Sequence, residues 1–111
     1  MTTKEAVIKH MEIETATQYV SVSNAALYYA KLIVSYVFEG QRFTKYSGDF
    51  GLGGYAKLDI PDEAQDVVVQ CEANNFGTWI TIFKIEYAKP ETHCFRVWGL
   101  CFAPLWEEIK C

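Results

Sequence analysis

Four cysteines, two histidines and a run of carboxylates are the side chains of this 111-residue sequence that could do distinctive chemistry. Cys71, Cys94, Cys101 and Cys111 are 23, 7 and 10 residues apart, so there is no Cys-x-x-Cys pair. A structural zinc tetrahedron is built from such close pairs, and this spacing does not supply them. Cys71 and Cys101 fall in apolar strand-like stretches and read as small buried hydrophobes. Cys94 and Cys111 bracket the last segment, where a bridge would stop the chain end fraying. Closing a loop of that length contributes ~3 kcal/mol in the chain-entropy model. A Cys94–Cys111 disulfide is one reading, and free thiols in a reducing cytosol the other.

A nucleophile needs a base within reach, and only His10 and His93 are available. His93 adjoins Cys94, but neighbours on a strand point to opposite faces, so both histidines read as solvated surface groups. Asp59, Asp62, Glu63, Asp66 and Glu72 form an acidic stretch with no Lys or Arg from 58 to 83. A calcium site needs six to eight converging oxygens. The spacing is not that of an EF-hand loop, and a solvated turn that keeps a sheet edge from pairing is the simpler reading. Four of the seven glycines lie in Ser47-Gly48-Asp49-Phe50-Gly51-Leu52-Gly53-Gly54-Tyr55. A phosphate cradle requires such a loop to open a helix, whereas this one leads into Ala56-Lys57-Leu58-Asp59-Ile60, a strand pattern. It reads as a crossing from one sheet to the other. No nucleophile–base pair, metal spacing or cofactor loop emerges, so the sequence predicts neither an enzyme nor a metal or cofactor site.

Seventeen aromatic residues remain, more than one two-layer core of this size encloses. Trp79 and Trp98 lie in strand patterns and are expected in the core. Phe50, Tyr55 and Phe76 lie at predicted turns, and Trp106 lies near the chain end, where it is expected to be exposed. An amphipathic ring at a loop tip suits a lipid headgroup region, a sugar face or a protein partner. These four residues are the candidate ligand contacts.

The elements that must position them are strands. Ala30, Leu32, Val34, Tyr36 and Phe38 alternate with Lys31, Ser35 and Glu39, and the whole run from Ala25 to Phe38 reads as a buried strand. Glu39-Gly40-Gln41-Arg42 turns the chain. Leu58 and Ile60 form a second pattern, stopped by Pro61, and Val67, Val69, Cys71 and Ala73 a third. Asn74-Asn75-Phe76-Gly77 is a turn signal. Thr78 to Tyr87 is apolar on both faces near its start, which places it centrally. Cys94 to Phe102 is a further strand, and Leu105 to Ile109 a short last strand or turn. Near the start, Tyr19 to Ser23 favours a strand, while Ala6 to Glu14 is a helical turn or a strand. Seven to nine strands without alternating helices predict one all-β domain over residues 1–111, an antiparallel immunoglobulin-like β-sandwich.

Half the residues are apolar and the net charge is only −4, which excludes a disordered chain. The acidic balance also argues against nucleic acid, since phosphate binding needs a basic patch. Residues 1–10 carry charges and lack the apolar core of a signal peptide, and the longest apolar run is too short for a membrane helix. The chain as encoded reads as cytoplasmic, or as released by a signal-independent route. In composition and architecture it resembles small, acidic, signal-less β-sandwich proteins that bind membranes or glycans, some of them toxin components; no motif carries a residue role over. The expected function is a non-enzymatic, cytolysin-like binding module for a membrane lipid surface or a glycan, acting through loop aromatics. The alternative is a protein-interaction or self-assembling domain. Charge disfavours anionic lipid, so a membrane target would be read by headgroup or sterol, and a homo-oligomer is the expected product of the alternative.

Overall fold

A computed structural model describes residues 18–111; His10 and the segment from Ala6 to Glu14 lie outside them. The described residues form eight strands: β1 (Gln18–Asn24), β2 (Ala30–Phe38), β3 (Gln41–Phe50), β4 (Tyr55–Ile60), β5 (Gln65–Asn75), β6 (Thr78–Tyr87), β7 (His93–Leu100) and β8 (Ala103–Ile109). They make two four-stranded sheets with orders β4-β1-β7-β8 and β3-β2-β5-β6. The architecture is the expected all-β sandwich, antiparallel throughout except that β1 runs parallel to β7.

Period-2 alternation builds the core. Val20 and Val22, Leu32 and Val34, Val67 and Val69, and Phe95 and Val97 point inward from both sheets and are fully or almost fully buried. Outward positions of β2 and β5 carry Lys31, Ser35, Gln70 and Glu72. Tyr36 continues the inward row of β2. The open sides of the sandwich are closed differently. Between β3 and β4, Lys45 Nζ donates to the Asp59 carbonyl at 2.7 Å. Between β6 and β8, the rings of Phe83 and Trp106 lie 4.7 Å apart.

Four expectations need correction. Strand β6 is an edge strand of its sheet, not a central one. Its apolar residues on both faces come from a bulge. Ala73 pairs with Ile80 and Cys71 with Phe83, leaving Ile82 extra, so Ile80, Phe83, Ile85 and Tyr87 all come round to the core side. The run from Ala25 to Phe38 is not one strand. It contains a loop over residues 25–29, and β2 begins at Ala30. Ser47 to Phe50 belong to β3, so the glycine-rich crossing between sheets narrows to residues 51–54. Cys101 lies in the β7–β8 turn and is half-buried, unlike the fully buried Cys71.

At the end of the molecule where β1 begins, Cys94 and Cys111 form a disulfide with Cα atoms 5.4 Å apart, holding the segment after β8 against β7. His93 stands beside it and is not a solvated histidine. Its ring stacks on Tyr87 at 4.2 Å, Nε2 lies 2.8 Å from Glu91, and Nδ1 bonds to Glu108. Both nitrogens can donate to carboxylates only in the imidazolium form. Burial lowers the His93 pKa, but the hydrogen bonds to Glu108 and Glu91 outweigh it, and the net direction is upward.

Candidate functional site

Strand directions place four connections at one end. Ser23 faces Tyr55 across β1 and β4, and Asn24 faces Val97 across β1 and β7. Ala30 faces Phe50 on one side and Ala73 on the other. The β1–β2 loop (residues 25–29), the β3–β4 loop (51–54), the β5–β6 turn (76–77) and the β7–β8 turn (101–102) therefore share the end opposite the disulfide.

A buried asparagine holds this end together. Asn24 is 2% exposed, and its Nδ2 donates to the carbonyls of Tyr28 at 2.8 Å and Phe50 at 2.9 Å. Its Oδ1 accepts from Ala26 N at 2.7 Å. Its backbone completes the hub, with Asn24 N donating to Gly54 O and Gly53 N donating to Asn24 O. The side chain ties together two loops from the two sheets with every polar group used, the condition under which a buried amide specifies a conformation. Tyr28, buried beside it, donates its hydroxyl to Trp98 O at 3.0 Å. Burial, with a smaller contribution from Cys71, pushes that phenol up to about 12, so it stays a donor at physiological pH. Two backbone bonds, Ala25 N to Val97 O and Asn74 N to Tyr29 O, fasten the β1–β2 loop to β7 and β5.

The glycines permit close approach. A Cβ on Gly99, whose φ is +90°, would lie 2.9 Å from Ala103 O, so the β7–β8 turn closes only with glycine there. The β5–β6 connection places Phe76 and Gly77 at φ +54° and +92°, the pattern of a two-residue hairpin turn. Gly77 N donates to Asn74 Oδ1 at 2.7 Å. An aromatic residue is an uncommon occupant of the left-handed region.

On this polar frame stands an apolar surface. Phe76 is 90% exposed and Leu27 85%, and Tyr29, Leu52, Tyr55, Leu100 and Phe102 are all more than half exposed. Leu27, Phe76, Leu100 and Phe102 line a groove of about 310 Å³ together with Tyr28, Asn74, Gly99 and Cys101. None of the residues in the four connections is Asp, Glu, Lys, Arg or His. Burying Tyr28 and Asn24 while exposing Leu27 and Phe76 is the reverse of what folding alone favours. Contiguous apolar surface of this kind marks an interaction site.

Of the four residues picked from sequence, the structure brings Phe76 and Tyr55 to this end. Phe76 is at the apex, and Tyr55 is on the outer face at the start of β4. Phe50 is a correction: it is only 9% exposed and belongs to the core, because it ends the inward row of β3 opposite Ala30. Trp106 is not at the tip. It is 40% exposed on edge strand β8, with its ring against Phe83 at 4.7 Å and Phe95 at 5.9 Å. Trp79 and Trp98 are half-buried on outer faces rather than in the core, with Lys31 over one ring and Arg96 over the other. Sequence reasoning missed Leu27, Leu52, Leu100 and Phe102 because apolar side chains next to strands look like core. The flanking Ala-Ala before Leu27 and the glycines around Leu52 were the available signals.

No family model and no curated protein matches the sequence. The fold does match solved structures. Suilysin, a cytotoxin of Streptococcus suis, aligns with TM-score 0.64 at 12% identity, over 86% of this chain and 23% of that one. Listeriolysin O aligns with TM-score 0.62 at 12% identity, over 86% of this chain and 22% of that one. The membrane-binding domain of pneumolysin aligns with TM-score 0.61 at 11% identity, over 86% of this chain and 97% of that domain. The chain thus spans about a quarter of the two whole cytolysins and nearly all of the isolated domain, and at this identity the fold is what is shared.

Proposed function

We propose that this chain is a non-enzymatic, toxin-like membrane-recognition module that docks end-on. The β1–β2, β3–β4, β5–β6 and β7–β8 connections enter the lipid interface. The observation that carries this is the uncharged apolar end: seven exposed large hydrophobic side chains converge on four connections that contain no ionisable Asp, Glu, Lys, Arg or His. The likeness to a domain described as membrane-binding supports the reading. Tyrosines at the rim, Tyr29 and Tyr55, suit the headgroup level, where one end of the ring is wet and the other apolar.

The lack of basic residues at the tip sets the lipid class. Attraction to anionic lipid is worth about 1 kcal/mol per nearby Lys or Arg, and the tip has none to contribute. Binding should therefore occur on phosphatidylcholine or phosphatidylcholine–sterol vesicles and change little between low and high salt. Vesicle co-sedimentation tests this. Phe76→Ser with Leu27→Ser should abolish pelleting while leaving the circular dichroism spectrum intact; pelleting of the double variant with phosphatidylcholine vesicles at the parent's level would refute the reading.

A second reading rests on β8, which among the described residues is an unpaired sheet edge with exposed Leu105 and Ile109 and suits strand addition from another chain. Light scattering of the vesicle-free protein tests it, and a strict monomer counts against it.

A further inference from the structure

We propose a second binding site, for a carboxylate-bearing sugar, on the outer face of the β4-β1-β7-β8 sheet, where it shares only Tyr55 with the tip. Alternation turns Tyr19, Ser21 and Ser23 of β1 outward, because Val20 and Val22 point into the core. Register sets Tyr55 beside Ser23 and Lys57 beside Ser21 on one side, and Arg96 beside Ser23 and Cys94 beside Ser21 on the other. Two small side chains on an inner strand, flanked by larger ones on both neighbours, leave a trench. It encloses about 310 Å³ and is walled at its far end by the Cys94–Cys111 disulfide, Ile109 and Lys110.

Three features select the ligand. The floor is hydroxylated, so it favours a polar ligand over an acyl chain. The walls offer tyrosine rings, Tyr55 being 63% exposed, and a ring face of this kind packs against the C–H face of a pyranose. The ionisable side chains lining the trench include two lysines, Lys57 and Lys110, and no aspartate or glutamate, in a chain whose net charge is −4. Lys57 Nζ is held 4.4 Å over the Tyr19 ring, which fixes the ammonium beside the floor. Two carboxylates of this face are not part of the lining: Asp59, opposite Tyr19, and Glu107, which is engaged by Arg96 at 3.0 Å. Complementary charge then calls for an anion, and the serines and rings call for a sugar carrying it. The volume is at the lower end of the range for small-ligand pockets, ~300–1,000 Å³, which suits one or two sugar units. From Tyr19 to Ser23 the trench runs roughly 13 Å along β1 at about 3.3 Å per residue. Its open end is next to the tip.

The test is titration of the full chain, followed by amide chemical shifts, with 3′-sialyllactose and a glucuronate disaccharide as probes and lactose as the uncharged control. At least one acidic sugar should bind saturably, with shifts at residues 19–23 and 55–57, and lactose should bind about tenfold more weakly or not at all. Ser23→Gln fills the trench and Lys57→Ala removes its fixed cation, and each should weaken binding about tenfold. Melting curves identify any variant that fails to fold, and the other then decides. Phe76→Ser with Leu27→Ser should bind the sugar normally, so loss of vesicle binding and loss of sugar binding are separate results. Phosphatidylcholine vesicles carrying a sialylated glycolipid, compared with the soluble sugar, tell a membrane source from a free one. Absence of saturable binding to both acidic probes overturns the proposal. So does equal binding of lactose, indifference to both trench variants, or trench-dependent binding to phosphatidylserine vesicles in place of sugar.

Discussion

Replacing Asn24 by alanine removes a side chain that never touches the outer surface, yet it should disable the tip. The side chain makes three hydrogen bonds, to Tyr28 O, Phe50 O and Ala26 N. Each is worth about 1 kcal/mol net, and a buried group left without a partner costs about 1–3 kcal/mol. Three such losses give ~3 kcal/mol or more, against a total stability of about 5–15 kcal/mol for a domain. At about 4–8 °C per kcal/mol for a domain near this size, the melting temperature should fall by roughly 15 °C. Thermal and urea unfolding followed by circular dichroism measure this, and amide exchange locates it: Ala26 and Gly53 should lose protection before the β2 and β5 amides. Asn24→Asp keeps the shape but sets a carboxylate against two carbonyls. Burial raises such a pKa, so the variant is destabilised at neutral pH and partly recovers as pH falls toward about 4, where the protonated acid again donates one bond. An Asn24→Ala loss below about 1 kcal/mol, or an Asn24→Asp variant with no pH dependence beyond the parent's, would refute the hub.

Reducing the Cys94–Cys111 bridge, which spans 17 residues, should cost up to ~3 kcal/mol through the freed unfolded chain, seen as a reductant-dependent drop in melting temperature; an unchanged melt counts against the bridge. In thiol counting, Cys101 at the half-buried turn should react in the folded protein and Cys71 only after unfolding, since burial pushes the Cys71 thiol up to about 12. His93 has a folded pKa raised above its unfolded value, so its contribution is fully present below about pH 6.5 and is lost as pH rises through the folded pKa; urea midpoints at stepped pH should show this decline, and His93→Gln should flatten it. Phe76→Ala alone should weaken vesicle partitioning by about ten- to hundredfold, the equivalent of about 1.5–3 kcal/mol for one inserted large apolar side chain.

The parts of the fold legible in the sequence are those where one parity holds from end to end. In β2, Ala30, Leu32, Val34 and Tyr36 keep one face without interruption, and in β5 Val67, Val69, Cys71 and Ala73 do the same. Where parity changes mid-strand the reading fails. The extra residue Ile82 turns a one-sided edge strand into what looks like a two-sided central one, and nothing local in Trp79-Ile80-Thr81-Ile82-Phe83 announces the bulge. The candidate site was half legible for a related reason. Phe76 was visible because Asn75 and Gly77 mark a turn on either side of it. Phe50 beside Gly51 gave the same signal, but it is the last inward residue of β3, and one position decides between core and surface. Asn24 carried no signal at all, because its role depends on carbonyls 4 and 26 residues away.

At the tip the molecule breaks local rules in a consistent direction. Along residues 24–30 the alternation continues through the loop, but it hides Asn24, Ala26 and Tyr28 and exposes Leu27 and Tyr29. At the β5–β6 turn a phenylalanine occupies a left-handed position where glycine or asparagine would be unstrained, and its ring remains in solvent. The exposed Leu27 and Phe76 add nothing to the core, and at Phe76 the sparsely populated backbone conformation costs about 1–3 kcal/mol. Such departures are sustained where the surrounding structure over-determines them. Here the over-determination is visible: the Asn24 hub and the Tyr28–Trp98 bond turn their polar groups inward, and the Asn74 side chain accepts from the exposed Gly77 amide to hold the turn. A rigid polar frame under a charge-free apolar cap keeps its hydrophobic side chains presented without letting them collapse on one another. That is the requirement for an end that must meet an apolar phase already formed, and it is why stabilising the tip and arming it are, in this chain, the work of different residues.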